Sequence, residues 1–375
     1  MSALQVLLGQ RSYPILVGNN LIARLGDECR RLELGPRYAL LTDTNVARRF
    51  AGAAVASLEK TGFLGAMMAF PPGETAKSLD TVQRCYGHAA EHRLERGSFI
   101  VALGGGVVGD VAGFVAATYL RGIPFLQVPT TLLAQVDSSV GGKVGVNIPA
   151  GKNLVGAFHQ PRLVLCDLDT LRALPARQFR AGLAEVIKYG IIYDPALFEL
   201  LERELPKLLK LDPELLQVVV ERCCAIKAKI VGQDETEAGL RKILNFGHTI
   251  GHAIEAVSGY GKYLHGEAIS IGQVVAANLS TKLAGLPASD VERIRKLFAA
   301  AGLPTSIQLR GPRRARLLAA LRLDKKVEAG EIQFVLAENI GKVRWGVKVP
   351  PATIERALDE SALRAPPLAT AYGRR

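Results

Sequence analysis

An apolar segment with a glycine cluster in its middle constrains the fold of this chain more than any other feature. Residues 97–120 read GSFIVALGGGVVGDVAGFVAATYL. The segment approaches the length of a membrane span, but the glycine cluster and Asp110 interrupt it, which favours a buried strand followed by a turn and a helix. We therefore expect a βα unit here and no membrane span.

Short apolar runs elsewhere in the first half also indicate buried strands. With the run at 98–104, they cover residues 38–43, 65–70, 124–129 and 162–167. After about residue 175, long segments with a helical period replace them. This pattern predicts an α/β fold with a mainly parallel sheet over residues 1–175 and a mainly α-helical domain over residues 176–362. Pro175 is the expected boundary, and residues 363–375 are expected to form a flexible tail.

Charge and composition limit the class of partner. A chain of 375 residues with 49% apolar content can fill a large core, and its net charge of +12 fits either a phosphate-bearing ligand or a solvated basic surface. The densest basic cluster, LRGPRRARLL at 309–318, has no aromatic residues for base stacking. We therefore expect no nucleic-acid partner.

The cysteines and the N-terminus indicate a cytoplasmic protein. Cys29, Cys85, Cys166, Cys223 and Cys224 are scattered and lack the spaced pairs of a thiolate zinc site. The first 18 residues show no secretory signal pattern. Reduced thiols in the cytoplasm are the simplest interpretation.

Three glycine- and hydroxyl-rich loops follow predicted strands. VALGGGVVGD at 101–110 contains G-x-G-x-x-G, in which glycine lets backbone N–H groups approach a pyrophosphate at a helix N-terminus. The match lies far from the first βα unit, so a standard Rossmann domain is doubtful, and a tight turn is the competing interpretation. Similar loops at 70–78 and 128–147 favour a bound dinucleotide.

Two histidines lie one helical turn apart in LNFGHTIGHAIE at 244–255. His248 and His252 share this spacing with His88 and His92, which we interpret as a solvated helix face, so spacing alone proves little. What distinguishes the second pair is that Arg241, Asn245, His248 and His252 fall at offsets of four, seven and eleven residues, which predicts one continuous polar stripe.

Further ligand candidates lie nearby in sequence. His265 follows within 18 residues of His248, and GLAEVIKYG offers Glu185 and Lys188 on one turn of an apolar helix. Two imidazoles and a carboxylate suit a catalytic zinc with an open position, and a buried Glu185 without a cation would be costly. Spacing leaves open which histidine is the second imidazole ligand and which is an acid/base.

Long motifs in order along residues 35–345 resemble the 3-dehydroquinate synthase family. They are GGGVVGDVAGF, RGIPFLQVPTTLLAQVDSSVGGKVGVN, GKNLVGAFHQP, GLAEVIKYG, DETEAGLRKILNFGHTIGHAIE, HGEAISIG and LDKK. The resemblance implies an N-terminal nucleotide-binding α/β domain, a C-terminal helical metal-binding domain and a homodimer. It also implies NAD, a divalent metal (zinc or cobalt) and the second step of the shikimate pathway.

The implied reaction converts 3-deoxy-D-arabino-heptulosonate 7-phosphate to 3-dehydroquinate and phosphate. It proceeds by transient oxidation with NAD, β-elimination of phosphate, return of the hydride and intramolecular aldol closure, so there is no net redox change.

The resemblance also assigns residues. It implies that Glu185, His248 and His265 bind the metal and that His252 is the catalytic histidine beside it. The implied substrate-binding or catalytic residues are Lys143, Lys152, Asn153, Lys188, Lys227, Arg241, Asn245 and Lys326, with Arg121 reaching the partner subunit's site. The implied NAD contacts are Asp43, Asn45, Glu74, Lys77, Gly105, Gly106, Val107, Val108, Gly109, Asp110, Thr130, Thr131, Asp137, Lys143, Lys152, Thr170 and Leu171.

One departure and two enzyme alternatives accompany this interpretation. Val144 stands where the family usually has Thr, which removes a hydroxyl, and we expect a modest effect. A metal-dependent polyol or alcohol dehydrogenase would also combine NAD with a metal, but the row of basic residues favours an anionic substrate. A related cyclase acting on another sugar phosphate is the second alternative, and Asn153, Arg241 and Asn245 favour the carboxylate-bearing substrate.

Overall fold

The computed structural model of the chain describes residues 1–259, 262–308, 311–323, 327–328 and 331–363. Lys326 lies outside these residues, as does the predicted tail apart from residue 363. No helix in the described part of the chain is both long and apolar enough to cross a membrane.

Strands are numbered in chain order. They are β1 Ser2–Val6, β2 Tyr13–Gly18, β3 Arg37–Asp43, β4 Leu64–Phe70, β5 Phe99–Gly104, β6 Phe125–Pro129, β7 Lys143–Ile148, β8 Gly151–Phe158, β9 Leu163–Asp167, β10 Val327–Glu328, β11 Glu331–Asn339 and β12 Lys342–Lys348.

Helices are numbered in the same way. They are α1 Leu25–Arg31, α2 Thr44–Val46, α3 Gly52–Lys60, α4 Leu79–Glu91, α5 Gly106–Thr118, α6 Ala176–Ile192, α7 Pro195–Leu208, α8 Pro213–Gln233, α9 His248–Ser258, α10 His265–Leu283, α11 Ala288–Ala300, α12 Pro312–Leu323 and α13 Pro351–Leu363.

The chain forms two compact units that are not continuous halves of the sequence. The first unit comprises Met1–Gly182 and Lys210–Ala238, and the second comprises Leu183–Leu209 and Gly239–Arg375. The whole of α8 therefore belongs to the first unit, although it lies in the half of the sequence with helical periodicity. The boundary at Pro175 stays a prediction.

A seven-stranded sheet organises the first unit. Its order is β1-β2-β9-β6-β5-β3-β4, with β1 antiparallel to β2 and parallel pairing between the other neighbours. All five strands predicted from apolar runs are present in its parallel part. The predicted α/β class with a mainly parallel sheet is confirmed.

The central strands are buried on both faces because helices cover both sides of the sheet. In β3, Leu40 packs into the cluster that contains Leu58 of α3, whereas its neighbour Leu41 packs into the cluster that contains Val111 of α5. Alternate side chains of a strand point to opposite faces, so an uninterrupted apolar run is what such a strand requires.

The second unit is mainly helical. Its core includes Ile250 and Ile254 of α9, Ile271 and Val275 of α10, and Phe334 of the β11–β12 hairpin. Aspartate and proline begin α7, where Asp194 accepts a hydrogen bond from the backbone N–H of Leu197 and Pro195 occupies the first turn. Both residues satisfy or avoid the unpaired N–H groups of a helix start.

Two local expectations were wrong. The stripe that we expected from residue 241 to 252 is interrupted, since a 3₁₀ helix over Leu240–Asn245 ends before Gly247, whose φ of +79° begins a new helix at His248. The loop expected over 128–147 ends in a strand, because β7 pairs antiparallel with β8. Side-chain periodicity alone does not detect a glycine whose backbone turns the chain.

Candidate active site

The predicted ligand-binding loops of the first unit lie at one edge of the parallel sheet. From β3 the chain moves outward to β4 and then returns to β5 on the other side of β3. The carboxyl ends of β3 and β5 therefore lie at the point where the direction of the strand order reverses. Open α/β sheets bind their ligands at this position.

Polar and glycine residues occupy that switch point. Asp43 ends β3, and its carboxylate accepts hydrogen bonds from the N–H groups of Asn45 and Val46 at 2.8 and 3.1 Å. Gly105 precedes α5, whose first turn begins at Gly106. Thr130 follows β6 and donates its N–H to the carbonyl of Gly104 at 3.0 Å. These predicted NAD contacts are thus brought together.

A buried ion pair lies beside the glycine turn. Lys77 is only 6% exposed, and its ammonium lies 2.5 Å from Asp110 Oδ2 and 2.5 Å from Asn153 Oδ1. Burial raises the pKa of the Asp110 carboxyl, and the charge of Lys77 opposes that shift. Glu74 joins the same network through Asn147, whose side-chain amide donates to it at 2.8 Å.

Two further lysines of the first unit have carboxylate partners. The ammonium of Lys227, which is buried on α8, donates to the side-chain and backbone oxygens of Asp137 at 2.5 Å each. Lys143 at the start of β7 contacts Glu237, which we did not predict as a site residue. The two residues are 94 positions apart, and no local pattern in the sequence pairs them.

Some predicted NAD contacts are core residues. Val108 and Leu171 are 1% and 0% exposed, so both residues are buried in the core. The hydroxyl of Thr170 donates to the carbonyl of Asp167 at 2.7 Å. A Cβ on Gly109 would lie 2.7 Å from the side chain of Gln127, so this glycine allows α5 to pack on the sheet.

The remaining predicted residues of the first unit are more accessible. Lys152 is half-buried at the start of β8, and Thr131 accepts a hydrogen bond from the N–H of Ala134 at 3.2 Å. Arg121 is exposed in a turn with φ of +67°, next to Leu120 at +50°. Val144 packs in the core against Gly113 of α5, away from solvent.

Three predicted metal ligands converge in the second unit. Glu185 Oε1 on α6 lies 3.6 Å from His248 Nε2 and 3.8 Å from His265 Nε2. These histidines are the first residues of α9 and α10. Three donor atoms from three helices face one point, although they are far apart in sequence.

The donor atoms fit a metal ion. Ligand atoms at 2.0–2.2 Å from a tetrahedral zinc lie about 3.4 Å from one another, close to the separations observed. Glu185 is fully buried, and among the described residues its Oε1 atom makes no hydrogen bond, whereas its other oxygen pairs with Lys188. A buried carboxylate oxygen in this position is stabilised by a cation.

Other predicted residues surround this cluster. His252 is exposed, and its ring centroid lies 5.3 Å from that of His248 and 6.1 Å from that of His265. Arg241 is 2% exposed and Asn245 is half-buried, both on the 3₁₀ helix. Sequence reasoning missed Glu255 of α9, whose Oε2 lies 3.2 Å from His265 Nδ1.

Comparison with known proteins decides the family. The 3-dehydroquinate synthase N-terminal model matches residues 67–181, and the C-terminal model matches residues 182–327. The chain belongs to the 3-dehydroquinate synthase family. The 3-dehydroquinate synthase of Desulforamulus reducens is 50% identical over 360 residues, which cover 96% of this chain and 100% of the relative. That of Nostoc punctiforme is 48% identical and covers 95% and 99%.

Solved structures of related cyclases share the fold. A 2-deoxy-scyllo-inosose synthase complexed with carbaglucose-6-phosphate, NAD⁺ and Co²⁺ has a TM-score of 0.87 at 29% identity, covering 96% of this chain and 100% of the other. A 2-epi-5-epi-valiolone synthase from Streptomyces hygroscopicus with NAD⁺ and Zn²⁺ has a TM-score of 0.86 at 28% identity, covering 97% and 99%. A glycerol dehydrogenase from Schizosaccharomyces pombe, at 18% identity and TM-score 0.68, shares the fold alone.

Membership of the 3-dehydroquinate synthase family confirms the predicted function and enzyme class, a phosphate-eliminating carbon–oxygen lyase. The dehydrogenase alternative is not favoured, since the glycerol dehydrogenase is far less similar to this chain than the synthases are. The roles of individual residues are a separate question.

Proposed function

We propose that this chain converts 3-deoxy-D-arabino-heptulosonate 7-phosphate to 3-dehydroquinate and phosphate, the second step of the shikimate pathway, with NAD and a divalent metal. The observation that carries the proposal is the convergence of Glu185, His248 and His265 in a chain of this family. This donor set accepts zinc or cobalt.

When bound, NAD accepts and returns a hydride, and the metal lowers the pKa of a substrate hydroxyl as a Lewis acid. Glu185, His248 and His265 would hold the metal. Burial of Glu185 excludes water from its carboxylate and strengthens its attraction for a cation.

We assign proton transfer to His252. Its ring is close to both histidine ligands but more exposed than either, so one of its ring nitrogens can take a proton from a substrate hydroxyl and pass it to water. An imidazole is suited to this role because its pKa lies near neutrality.

Cationic side chains and two asparagine amides bind the anionic groups of the substrate. In the second unit we assign Lys188, Arg241 and Asn245 to this role, with arginine suited to bidentate pairing with a carboxylate or phosphate. In the first unit we assign Lys143, Lys152, Asn153 and Lys227. Asp137 and Glu237 are the carboxylate partners of Lys227 and Lys143. Lys326 is assigned by resemblance alone.

The switch point of the first unit is proposed to bind NAD. Backbone N–H groups at Gly105–Gly109 would face the pyrophosphate at the start of α5, and Asp43, Asn45, Glu74, Lys77, Asp110, Thr130, Thr131 and Asp137 would supply polar contacts. Val107, Val108, Thr170 and Leu171 would contribute backbone groups or apolar contacts.

The direct test measures phosphate release from the proposed substrate by metal-loaded protein with a catalytic amount of NAD. We expect equal amounts of phosphate and 3-dehydroquinate without accumulation of NADH. Phosphate release only from another sugar phosphate would support the alternative cyclase, and steady accumulation of NADH with a polyol would support a dehydrogenase.

We also propose a cytoplasmic homodimer in which Arg121 acts in the partner's site. All five cysteines are buried and free, which fits a reducing compartment. Arg121 is exposed in a turn and is therefore accessible to a partner subunit. Mixing Arg121→Ala protein with His252→Ala protein should restore activity, since a mixed dimer contains one complete site. Light scattering that gives a monomer, or mixtures that stay inactive after subunit exchange, would reject this assignment.

A further inference from the structure

His265 directs its two ring nitrogens to two different carboxylates. Its Nε2 lies 3.8 Å from Glu185 Oε1, at a separation that leaves room for a shared metal ion, and its Nδ1 lies 3.2 Å from Glu255 Oε2, at hydrogen-bond distance. A neutral imidazole has one nitrogen with a lone pair and one with a proton. The two contacts therefore match a metal-bound histidine, in which one nitrogen binds the metal and the other donates a hydrogen bond.

His248 has the same arrangement with a different partner. Its Nδ1 lies 3.2 Å from the backbone carbonyl of Phe246, and its Nε2 faces Glu185 at 3.6 Å. The partner of the second nitrogen sets the tautomer and the orientation of the ring. The neutral carbonyl of Phe246 orients the ring of His248, whereas the carboxylate of Glu255 is in position to orient the ring of His265.

A direct role of Glu255 as a metal ligand is the alternative. His252, Glu255 and His265 also place one donor atom each within 4.8 Å of one another. Two observations favour the site at Glu185. The side chain of Glu185 is fully buried, and one of its oxygens makes no hydrogen bond within the described part of the chain, whereas the side chain of Glu255 is 15% exposed and can be solvated by water.

We propose that Glu255 is a positioning residue for the metal centre: its carboxylate accepts the Nδ1–H hydrogen bond of His265 and commits the Nε2 atom of that ring to the metal. The inference rests on the proposed assignment of Glu185, His248 and His265 as ligands. The negative charge of Glu255 also makes the His265 ring a stronger donor to the metal.

The test compares zinc affinity in a double-mutant cycle, measured by competition with a chelator and without substrate. Glu255→Gln should weaken zinc binding by roughly 10–100-fold, the range for loss of such partners. In a His265→Ala background, the same substitution should cause little further loss, because its effect passes through the missing ring. Glu292→Gln, which removes one carboxylate from α11, is the matched control and should leave zinc affinity unchanged.

Two readouts separate positioning from other roles. The visible spectrum of the Co²⁺ form should shift in Glu255→Gln while the metal-free thermal midpoint stays unchanged. Equal losses of affinity in both backgrounds would overturn the proposal in favour of direct ligation or a general charge effect. An unchanged zinc affinity and Co²⁺ spectrum, or a wild-type chain that binds no metal, would also overturn it. Normal zinc binding with no 3-dehydroquinate formation would reject the proposed function instead.

Discussion

The buried carboxylate of Glu185 needs a partner for each of its two oxygens. It is fully buried, one oxygen pairs with the buried Lys188, and the other faces His248 and His265. A buried charge is tolerated only when its surroundings compensate for lost hydration. The residue that is proposed to bind the metal thus also contributes to the stability of the metal-free fold.

Glu185→Gln should therefore reduce both metal binding and stability. Removing one member of a buried ion pair costs about 3 kcal/mol, because the remaining charge loses its counter-ion. Urea unfolding of the metal-free protein measures the stability, and chelator competition measures zinc binding. Glu204→Gln, at an exposed pair on α7, is the control and should change neither quantity appreciably. A stable Glu185→Gln variant with wild-type zinc affinity would contradict the assignment.

His159 should make the stability of the first unit depend on pH. Its ring stacks on Phe125 with centroids 5.3 Å apart, and its Nε2 lies 2.9 Å from the carbonyl of Ile123. Burial lowers the pKa of this imidazole, and the hydrogen bond to Ile123 partly opposes the shift. As the pH falls through about 6.5, the unfolded chain gains a proton that the folded chain does not bind, so stability decreases.

His159→Gln should flatten the decrease in stability between neutral and mildly acidic pH, while a Gln amide can still donate to Ile123. Urea midpoints at several pH values measure the slope. His92→Gln removes an exposed histidine and serves as the control. An identical acid slope in wild type and His159→Gln would show that His159 does not contribute to it.

At the scale of elements, close packing of α9 on α10 brings the two proposed histidine ligands together. Gly247 has a φ of +79°, and a Cβ there would lie 2.5 Å from the backbone nitrogen of Gln273. A Cβ on Gly272 would lie 2.1 Å from the carbonyl oxygen of Gly247. Any larger side chain at these contacts must separate the two helices that begin with His248 and His265.

Gly272→Ala should weaken metal binding and destabilise the protein by about 1–3 kcal/mol, the usual range for overpacking. Zinc competition and urea unfolding measure the two effects. Gly87→Ala in α4 is the control, since a Cβ there meets no atom within 4 Å. It should be neutral or stabilise the protein by up to about 1 kcal/mol, because alanine favours helix. Wild-type zinc affinity in Gly272→Ala would show that the helices can separate without moving the ligands.

At the scale of the whole molecule, the two compact units are proposed to bind different cofactors, NAD in the first and the metal in the second. The nucleotide site is assigned to residues of the first unit, and the proposed metal ligands lie in the second. A ligand that binds only the folded state stabilises it by about 2.7 kcal/mol at a free concentration of 100 times its Kd. NAD and the metal should therefore each slow local unfolding mainly in the unit that binds it.

Hydrogen exchange tests this separation. Zinc should slow exchange at the starts of α9 and α10, and NAD should slow exchange at the start of α5 and around Thr130. The metal-free Glu185→Gln variant should lose the response to zinc while it keeps the response to NAD. Zinc protection confined to α5, or NAD protection confined to α9, would contradict the assignment of ligands to units.

The sequence by itself determined the elements with strong periodicity. Five of the six strands with parallel partners were predicted from apolar runs, and the helices after residue 175 were predicted from their helical period, because burial on two faces or along one helix stripe requires that composition. It also determined the family, since its motifs are long and occur in order. The antiparallel strand β1, the β7–β8 hairpin and the break at Gly247 carried no comparable pattern.

Only the tertiary structure decided which side chains meet. Glu185, His248 and His265 are separated by up to 80 residues, and no local pattern states that their donor atoms face one point. The partners Glu237 and Glu255 and the burial of Val108, Val144 and Leu171 were equally invisible, because contacts between distant segments depend on how close the backbones approach. In this chain glycines set that approach, and the ligand geometry follows from it.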